Sequence, residues 1–156
     1  MSDHNFSTTR NVELSILDYL ETEVEADWNG VSVVKGFNQA YKEKLPVVAI
    51  RHLREDSTRK EIGGTDLIDT HTIVIDVFAT SDGMRLDLAD YIKNKLKLGW
   101  PYYIFSKDSG DNQTLVKVQS GRNSVFEFLE NTRVEFGQDV EAHDRFRHHI
   151  SFNVRK

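Results

Sequence analysis

The chain of 156 residues contains no cysteine and no long apolar run. The missing cysteine excludes disulfide bonds, thiolate-bound zinc and a cysteine nucleophile, so packing must stabilise the fold. No apolar segment approaches the ~20 residues that cross a bilayer, and the polar start MSDHNFSTTR lacks the apolar core of a signal peptide. We therefore expect the protein in the cytoplasm, or in a particle assembled there, without a membrane partner.

The chain also lacks an excess of basic residues. Its 20 Lys and Arg are outnumbered by 25 Asp and Glu, so the net charge is -5 and there is no general attraction to nucleic acid. This does not prevent DNA from passing close by without being held. Apolar residues at 38% and charged residues at 29% are typical of a globular protein, and the length suits one domain over residues 1–156.

Two segments, about residues 10–25 and 82–98, carry apolar residues at spacings of three and four. This spacing predicts two amphipathic helices. Ser81 can cap the second helix, and Gly99 can end it. The stripe that this helix is expected to bury consists of Leu88, Ala89, Ile92 and Leu96.

Alternating or β-branched segments predict the strands. The first predicted strand covers residues 31–35, and the second begins at Pro46. The clearest strand is 70–79. Because it is apolar on both faces, it is predicted to be a central strand that is covered on both sides. Residues 100–108 are expected to form an aromatic strand that ends in the polar loop 106–114, and residues 114–120 to pair with it as a hairpin. Alternation over residues 145–154 predicts a long terminal strand with one buried face.

The segment 122–139 fits either one helical turn or two short strands flanking residues 130–132. The alternation of Phe126 and Phe128 with charged neighbours favours the strands. The order of elements predicts an α+β domain, in which two main helices cover a mostly antiparallel sheet. Residues 51–66 are mostly charged and include Gly63 and Gly64, so we expect an exposed loop or a long hairpin tip.

No catalytic, cofactor or metal site is predicted. His148 and His149 point to opposite faces of a strand, and Asp69 and Asp76 are separated by about 23 Å along another, so neither pair can share an ion. Asp76 is instead expected at the polar side of the sheet, paired with an arginine of the last strand. There is no Gly-x-Ser-x-Gly elbow, and the glycines of IGGTD are not flanked by a strand and a helix. We therefore expect no enzyme activity.

The aromatic residues after Gly99 can belong to a core or to an interface. The mixed charges of the segment 54–66 can form ion pairs with a neighbouring copy of the chain, although a merely solvated loop fits them equally well. The residues predicted for an interface with a neighbouring subunit or another partner are Arg54, Arg59, Lys60 and Glu61.

Three consecutive segments carry a resemblance to a known family: the strand VVAIRHL, the strand HTIVIDVFATSDG after a polar loop, and the helix MRLDLADYIKNKL. In order, size and pattern they resemble the tail terminator and tail completion proteins of long-tailed bacteriophages. The resemblance, with the first helix, covers about two thirds of the chain.

It implies a virion protein that forms a ring, usually a hexamer, on the end of the tail tube. Such a ring stops tube polymerisation and offers a docking surface to the head connector, without a cofactor. The alternatives are another neck or head-completion protein, a small nuclease-like α+β enzyme and a monomeric adaptor.

Overall fold

The computed structural model describes residues 5–107, 114–136 and 140–156, which form an α+β fold around one six-stranded mixed sheet. In chain order the elements are α1 (Thr8–Asp27), β1 (Ser32–Lys35), α2 (Phe37–Lys42), β2 (Val47–Arg59), β3 (Leu67–Phe78), α3 (Asp82–Lys97), β4 (Trp100–Lys107), β5 (Leu115–Val134), α4 (Ala142–Arg145) and β6 (Arg147–Arg155).

The strands lie in the order β1-β2-β3-β6-β5-β4. β1 pairs with β2 in parallel, and the other neighbours are antiparallel, so the prediction of a mostly antiparallel sheet is confirmed. β3 lies between β2 and β6, and every residue from 71 to 78 is buried. The predicted central strand is therefore confirmed.

The two predicted helices are present and pack on one face of the sheet. Ser7 and Ser81 cap them, because each side-chain oxygen accepts a hydrogen bond of 3.2 Å from a backbone N–H three residues later. Between helices and sheet lies the main core, which includes Ile16, Ile75 and Phe152. Trp100 and Tyr102 belong to this core, and Phe105 is buried as well, which confirms the core alternative for these residues of the segment after Gly99.

The short helices α2 and α4 were not predicted. They have six and four residues, which is too short for an apolar period to show. α2 covers one end of the second face of the sheet, where Ala40 packs against Val47 and Phe78.

The charged segment 51–66 is a hairpin rather than a loop. β2 runs on to Arg59, β3 begins at Leu67, and the ladder continues as far as the pair Arg59↔Leu67. Of the two alternatives the hairpin is therefore correct, and only residues 60–66 form its turn. Ladder hydrogen bonds join backbone groups, so charged side chains on both faces are compatible with a strand.

β5 differs most from the prediction, because one strand of 20 residues replaces a hairpin strand followed by two short strands. Its first half pairs with β4 and its second half with β6. Gly121, at φ 101°, lies close to this change of partner, and register shifts at Phe126 and Leu129 bend the strand further. Residues 130–132 are therefore strand and not a turn. Residues 108–113 of the predicted polar loop 106–114 lie outside the described residues, and so do residues 137–139 of the segment 122–139.

Candidate assembly interface

The second face of the sheet, away from α1 and α3, carries an open groove of about 360 Å³, here called the sheet groove. Its walls come from β2 and β5, and its floor comes from β3 and β6, which lie between them. The residues that line it are Phe37, Arg51, Leu53, Arg54, Thr72, Val74, Leu129, Glu130, Arg147, His149 and Ser151.

Charged side chains on the floor of the groove form ion pairs and hydrogen bonds with one another. Asp76 has no exposed surface, and its carboxylate accepts a hydrogen bond of 3.0 Å from Nε of Arg147. The predicted pairing of Asp76 with an arginine of the last strand is therefore confirmed. Nδ1 of His149 lies 3.2 Å from Oδ2 of Asp76, and this hydrogen bond raises the pKa of His149 above its ordinary value. The guanidinium groups of Arg51 and Arg147 both lie over the ring of Phe37, at 4.5 Å and 5.2 Å from its centre.

Asp76 and His149 are the residue types that form the first two members of a proton-transfer chain, in which a carboxylate orients a histidine and the histidine acts as a general base. The other ring nitrogen of His149, Nε2, lies 3.9 Å from a carboxylate oxygen of Glu130. Within the described part of the chain, no hydroxyl group makes a hydrogen bond to His149. Ser151 lines the same groove, two residues further along β6. The arrangement therefore orients two side chains, but it does not pair His149 with a nucleophile.

The neighbouring histidine lies on the opposite face of β6, as predicted. Nδ1 of His148 lies 2.6 Å from Nη1 of Arg85, and its Nε2 contacts the side-chain oxygen of Asn131. Burial, and then the charge of Arg85, lower the pKa of His148 to about 4. The described residues contain no group of three or more His, Asp or Glu side chains placed to hold a metal ion. His143, the third histidine of the C-terminal cluster, contacts the backbone oxygen of Glu43 instead.

A two-stranded ribbon, residues 55–70, projects from the end of the sheet and is called the hairpin arm. β6 pairs with β3 only as far as His71, so the arm has no third strand. Thr9 and Arg155 hold its base through hydrogen bonds to Glu55 and Thr70 at 2.8 Å and 3.2 Å. At its tip, Ile62 is fully exposed to solvent.

The structure separates the residues that were predicted for the interface. Arg54 lines the sheet groove, whereas Arg59, Lys60 and Glu61 lie at the tip of the arm, about 20 Å away along the strand. They therefore belong to two surfaces and not to one patch.

The apolar part of these surfaces was not predicted. Leu53 and Leu129 on the groove walls are 51% and 44% exposed. Leu53 lies between His52 and Arg54, whereas Leu129 follows Phe128 in the sequence. The available signal was an isolated leucine or isoleucine in the mostly charged segment 51–66, such as Leu53 in β2 and Ile62 in the turn.

One open edge of the sheet is already occupied by this chain. Asn11 accepts a hydrogen bond of 3.0 Å from the backbone N–H of Phe105, and Ser15 accepts one of 2.9 Å from that of Tyr103. The backbone N–H of Phe6 donates to the carbonyl oxygen of Phe105 at 2.8 Å. Because α1 and the preceding residues use these outward groups of β4, this edge is not free to add a strand from a partner.

No protein-family model matches the sequence, and no curated protein matches it significantly. Among the described residues, no helix is long and apolar enough to cross a membrane.

Proposed function

We propose that the protein is a bacteriophage virion structural protein of the tail-terminator type. Several copies, most simply six, close into a ring on the end of the tail tube and stop its polymerisation. The ring then offers its other side to the head connector, and DNA passes through it without sequence-specific contacts. Its partners are further copies of itself, the tail tube protein and the neck of the head, and it uses no cofactor.

The observation that carries the proposal is the presence of two different exposed surfaces on one helix-backed sheet. A ring needs a heterologous interface, in which one surface of each copy contacts a different surface of the next. The sheet groove and the tip of the hairpin arm are two such surfaces, separated by about 20 Å of strand. Both combine exposed apolar side chains with charged ones, which is typical of surfaces that bind a protein partner.

A second candidate is another neck or head-completion protein of the same particle, because the same two surfaces would serve a ring at the head. A small hydrolytic enzyme is the candidate from a different class, and the pair of Asp76 and His149 beside an open groove favours it. The position of Glu130, rather than a hydroxyl group, near Nε2 of His149 favours a structural role for the pair.

The decisive experiment measures the mass of the purified protein by light scattering, alone and with tail tubes of a phage that carries it, and images the particles by electron microscopy. The expected result is a ring of about six copies, at least on the tube ends. A protein that stays monomeric at every concentration and with tubes present contradicts the proposal. Binding to isolated heads instead of tubes would assign the ring to the neck.

A further inference from the structure

We infer that the tip of the hairpin arm, residues 60–66, docks in the sheet groove of the next copy of this chain. The inference rests on the proposed ring and identifies the contact that builds it. The tip of one copy and the sheet groove of the next would then form a single interface, with the second copy as the occupant of the groove.

The tip has the form of a preorganised ligand. The guanidinium group of Arg59 donates to the carbonyl oxygen of Gly64 at 2.9 Å, and the backbone N–H of Lys60 donates to that of Asp66 at 3.1 Å. These bonds hold the turn that presents Ile62. A rigid tip loses little conformational entropy when it binds.

A partner would also stabilise the arm, because a two-stranded ribbon without a third strand or a covering helix is only marginally stable in water. Ile62 cannot find that cover in its own groove. The ladder from Arg54 to Arg59 has no register shift, and its length places the tip about 20 Å from the groove of the same copy.

The groove is complementary to the tip in shape. Its walls on β2 and β5 are three strand spacings apart, about 14 Å along the sheet, which leaves room for a two-stranded turn between them. Its apolar lining includes Phe37 and the exposed side chains of Leu53 and Leu129, which can cover Ile62.

The charges are complementary as well. Arg51 and Arg54 stand on the β2 wall, and Glu130 stands on the β5 wall. The residues beside Ile62 carry the opposite signs, so Glu61 can face the two arginines while Lys60 faces Glu130. Among the described residues, neither Lys60 nor Glu61 has an ionic partner within its own chain.

The absence of cysteine allows a direct test by disulfide cross-linking. A double variant, Ile62→Cys with Leu129→Cys, is oxidised mildly and run on a non-reducing denaturing gel. We expect a ladder of cross-linked copies that reaches the mass of the closed ring. Because a disulfide needs Cα atoms within about 7 Å, the two thiols of one copy cannot join across the length of the arm.

The matched control is Ile62→Cys with Leu98→Cys, since Leu98 is 72% exposed but follows α3 on the helix-covered side. This control should give no ladder. A mixture of the two single variants, Ile62→Cys and Leu129→Cys, should give dimers and nothing larger.

A charge exchange provides a second measurement that does not depend on oxidation. Glu61→Arg should raise the dissociation constant of assembly about tenfold, and adding Arg54→Glu to the same chain should restore it to within about threefold. Both sites are exposed, so the fold should be unaffected, and the melting temperature checks this.

The possible results separate the two proposals. Rings of the expected mass without the 62–129 ladder would overturn the docking inference and leave the proposed function standing. A thiol at position 62 that joins only a cysteine variant of the tail tube protein would also overturn it, since the arm would then bind the tube. A protein that stays monomeric under all conditions, with and without tubes, contradicts both proposals.

Discussion

Asp76 and Arg147 form an ion pair with a separation of 3.0 Å between adjacent strands, and the carboxylate has no exposed surface. Asp76→Asn would remove the fully buried carboxylate from the guanidinium group of Arg147, which is only 14% exposed and would keep its ion pair with Asp144 at 3.3 Å. We expect a loss of about 3 kcal/mol in the free energy of unfolding, measured by urea denaturation. Asp56→Asn is the matched control, because its ion pair with Arg54 is exposed and should contribute less than about 1 kcal/mol. Equal losses in the two variants would contradict this prediction.

The stability should fall in mild acid because His148 is held neutral. Its pKa is 6.5 when unperturbed and about 4 in the fold, where burial and Arg85 oppose the charge. Between these values the unfolded chain binds a proton that the folded chain does not, so stability present above pH 6.5 is lost as the pH falls towards 4. His148→Gln should remove roughly 3 kcal/mol of this pH dependence, measured by urea denaturation at pH 7 and pH 4.

The other histidines provide the controls for that measurement. The pKa of His149 is raised by its hydrogen bond to Asp76, so its contribution is present below pH 6.5 and is lost as the pH rises through the folded value. His149→Gln should therefore change the pH dependence with the opposite sign. Burial lowers the pKa of His52 and His71 as well, so part of the acid sensitivity should remain in His148→Gln. An unchanged profile in His148→Gln would show that His148 titrates normally in the fold.

Asn11 protects the edge of the sheet. Asn11→Ala would leave the buried backbone N–H of Phe105 without an acceptor, and we expect a loss of about 1–3 kcal/mol together with a greater tendency to aggregate. Thr22→Ala in the same helix is the control, because its hydroxyl group bonds only to the carbonyl oxygen of Asp18 at the surface. Denaturation midpoints and size-exclusion profiles of the two variants compare these effects. A loss no greater than that of the control would mean that water replaces the side chain at this edge.

Gly99 ends α3 in a conformation that favours glycine, with φ +72°. A Cβ atom there would lie 2.9 Å from the backbone oxygen of Asn123, so Gly99→Ala should lower stability by about 1–3 kcal/mol. Gly83→Ala is the control, because nothing lies within 4 Å of a Cβ atom at that position in the first turn of α3. Thermal unfolding should show a decrease for the first variant and little change or an increase for the second.

Reversing the charges of Arg54, Arg59 and Lys60 together should weaken assembly or tube docking while the fold stays intact. The loss should be larger at low salt, because exposed charges are screened as the ionic strength rises. The matched control reverses Lys42, Lys44 and Lys97, which are exposed elsewhere on the chain. Light scattering over a range of salt concentrations measures the effect. Unchanged ring mass and tube binding would remove these residues from the interface.

Local spacing predicted α1, α3 and the terminal strand, because each buries a stripe whose period shows in its own residues, although the terminal strand begins at Arg147 rather than residue 145. It predicted β3 because that strand is apolar on both faces. Arg85 and Glu13 show the limit of this approach. Arg85 lies three residues before Leu88 on the buried stripe of α3, and Glu13 is buried beside Val12 in α1. The sequence therefore showed that both charged residues lie next to buried positions. Their partners, His148 and Lys35, come from distant segments that no local pattern identifies.

The amino-acid order alone established the two long helices, the central strand and the absence of thiol chemistry, since each follows from the identity and spacing of near neighbours. Long-range pairing established the rest: the parallel position of β1, the change of partner along β5, and the walls of the sheet groove. The hairpin arm exists because β2 and β3 continue beyond the end of β6, and the sheet groove exists because β3 and β6 lie between β2 and β5. That is a property of the register between segments that are distant in sequence, as in the pair Thr72↔Asn153, and not of any one segment.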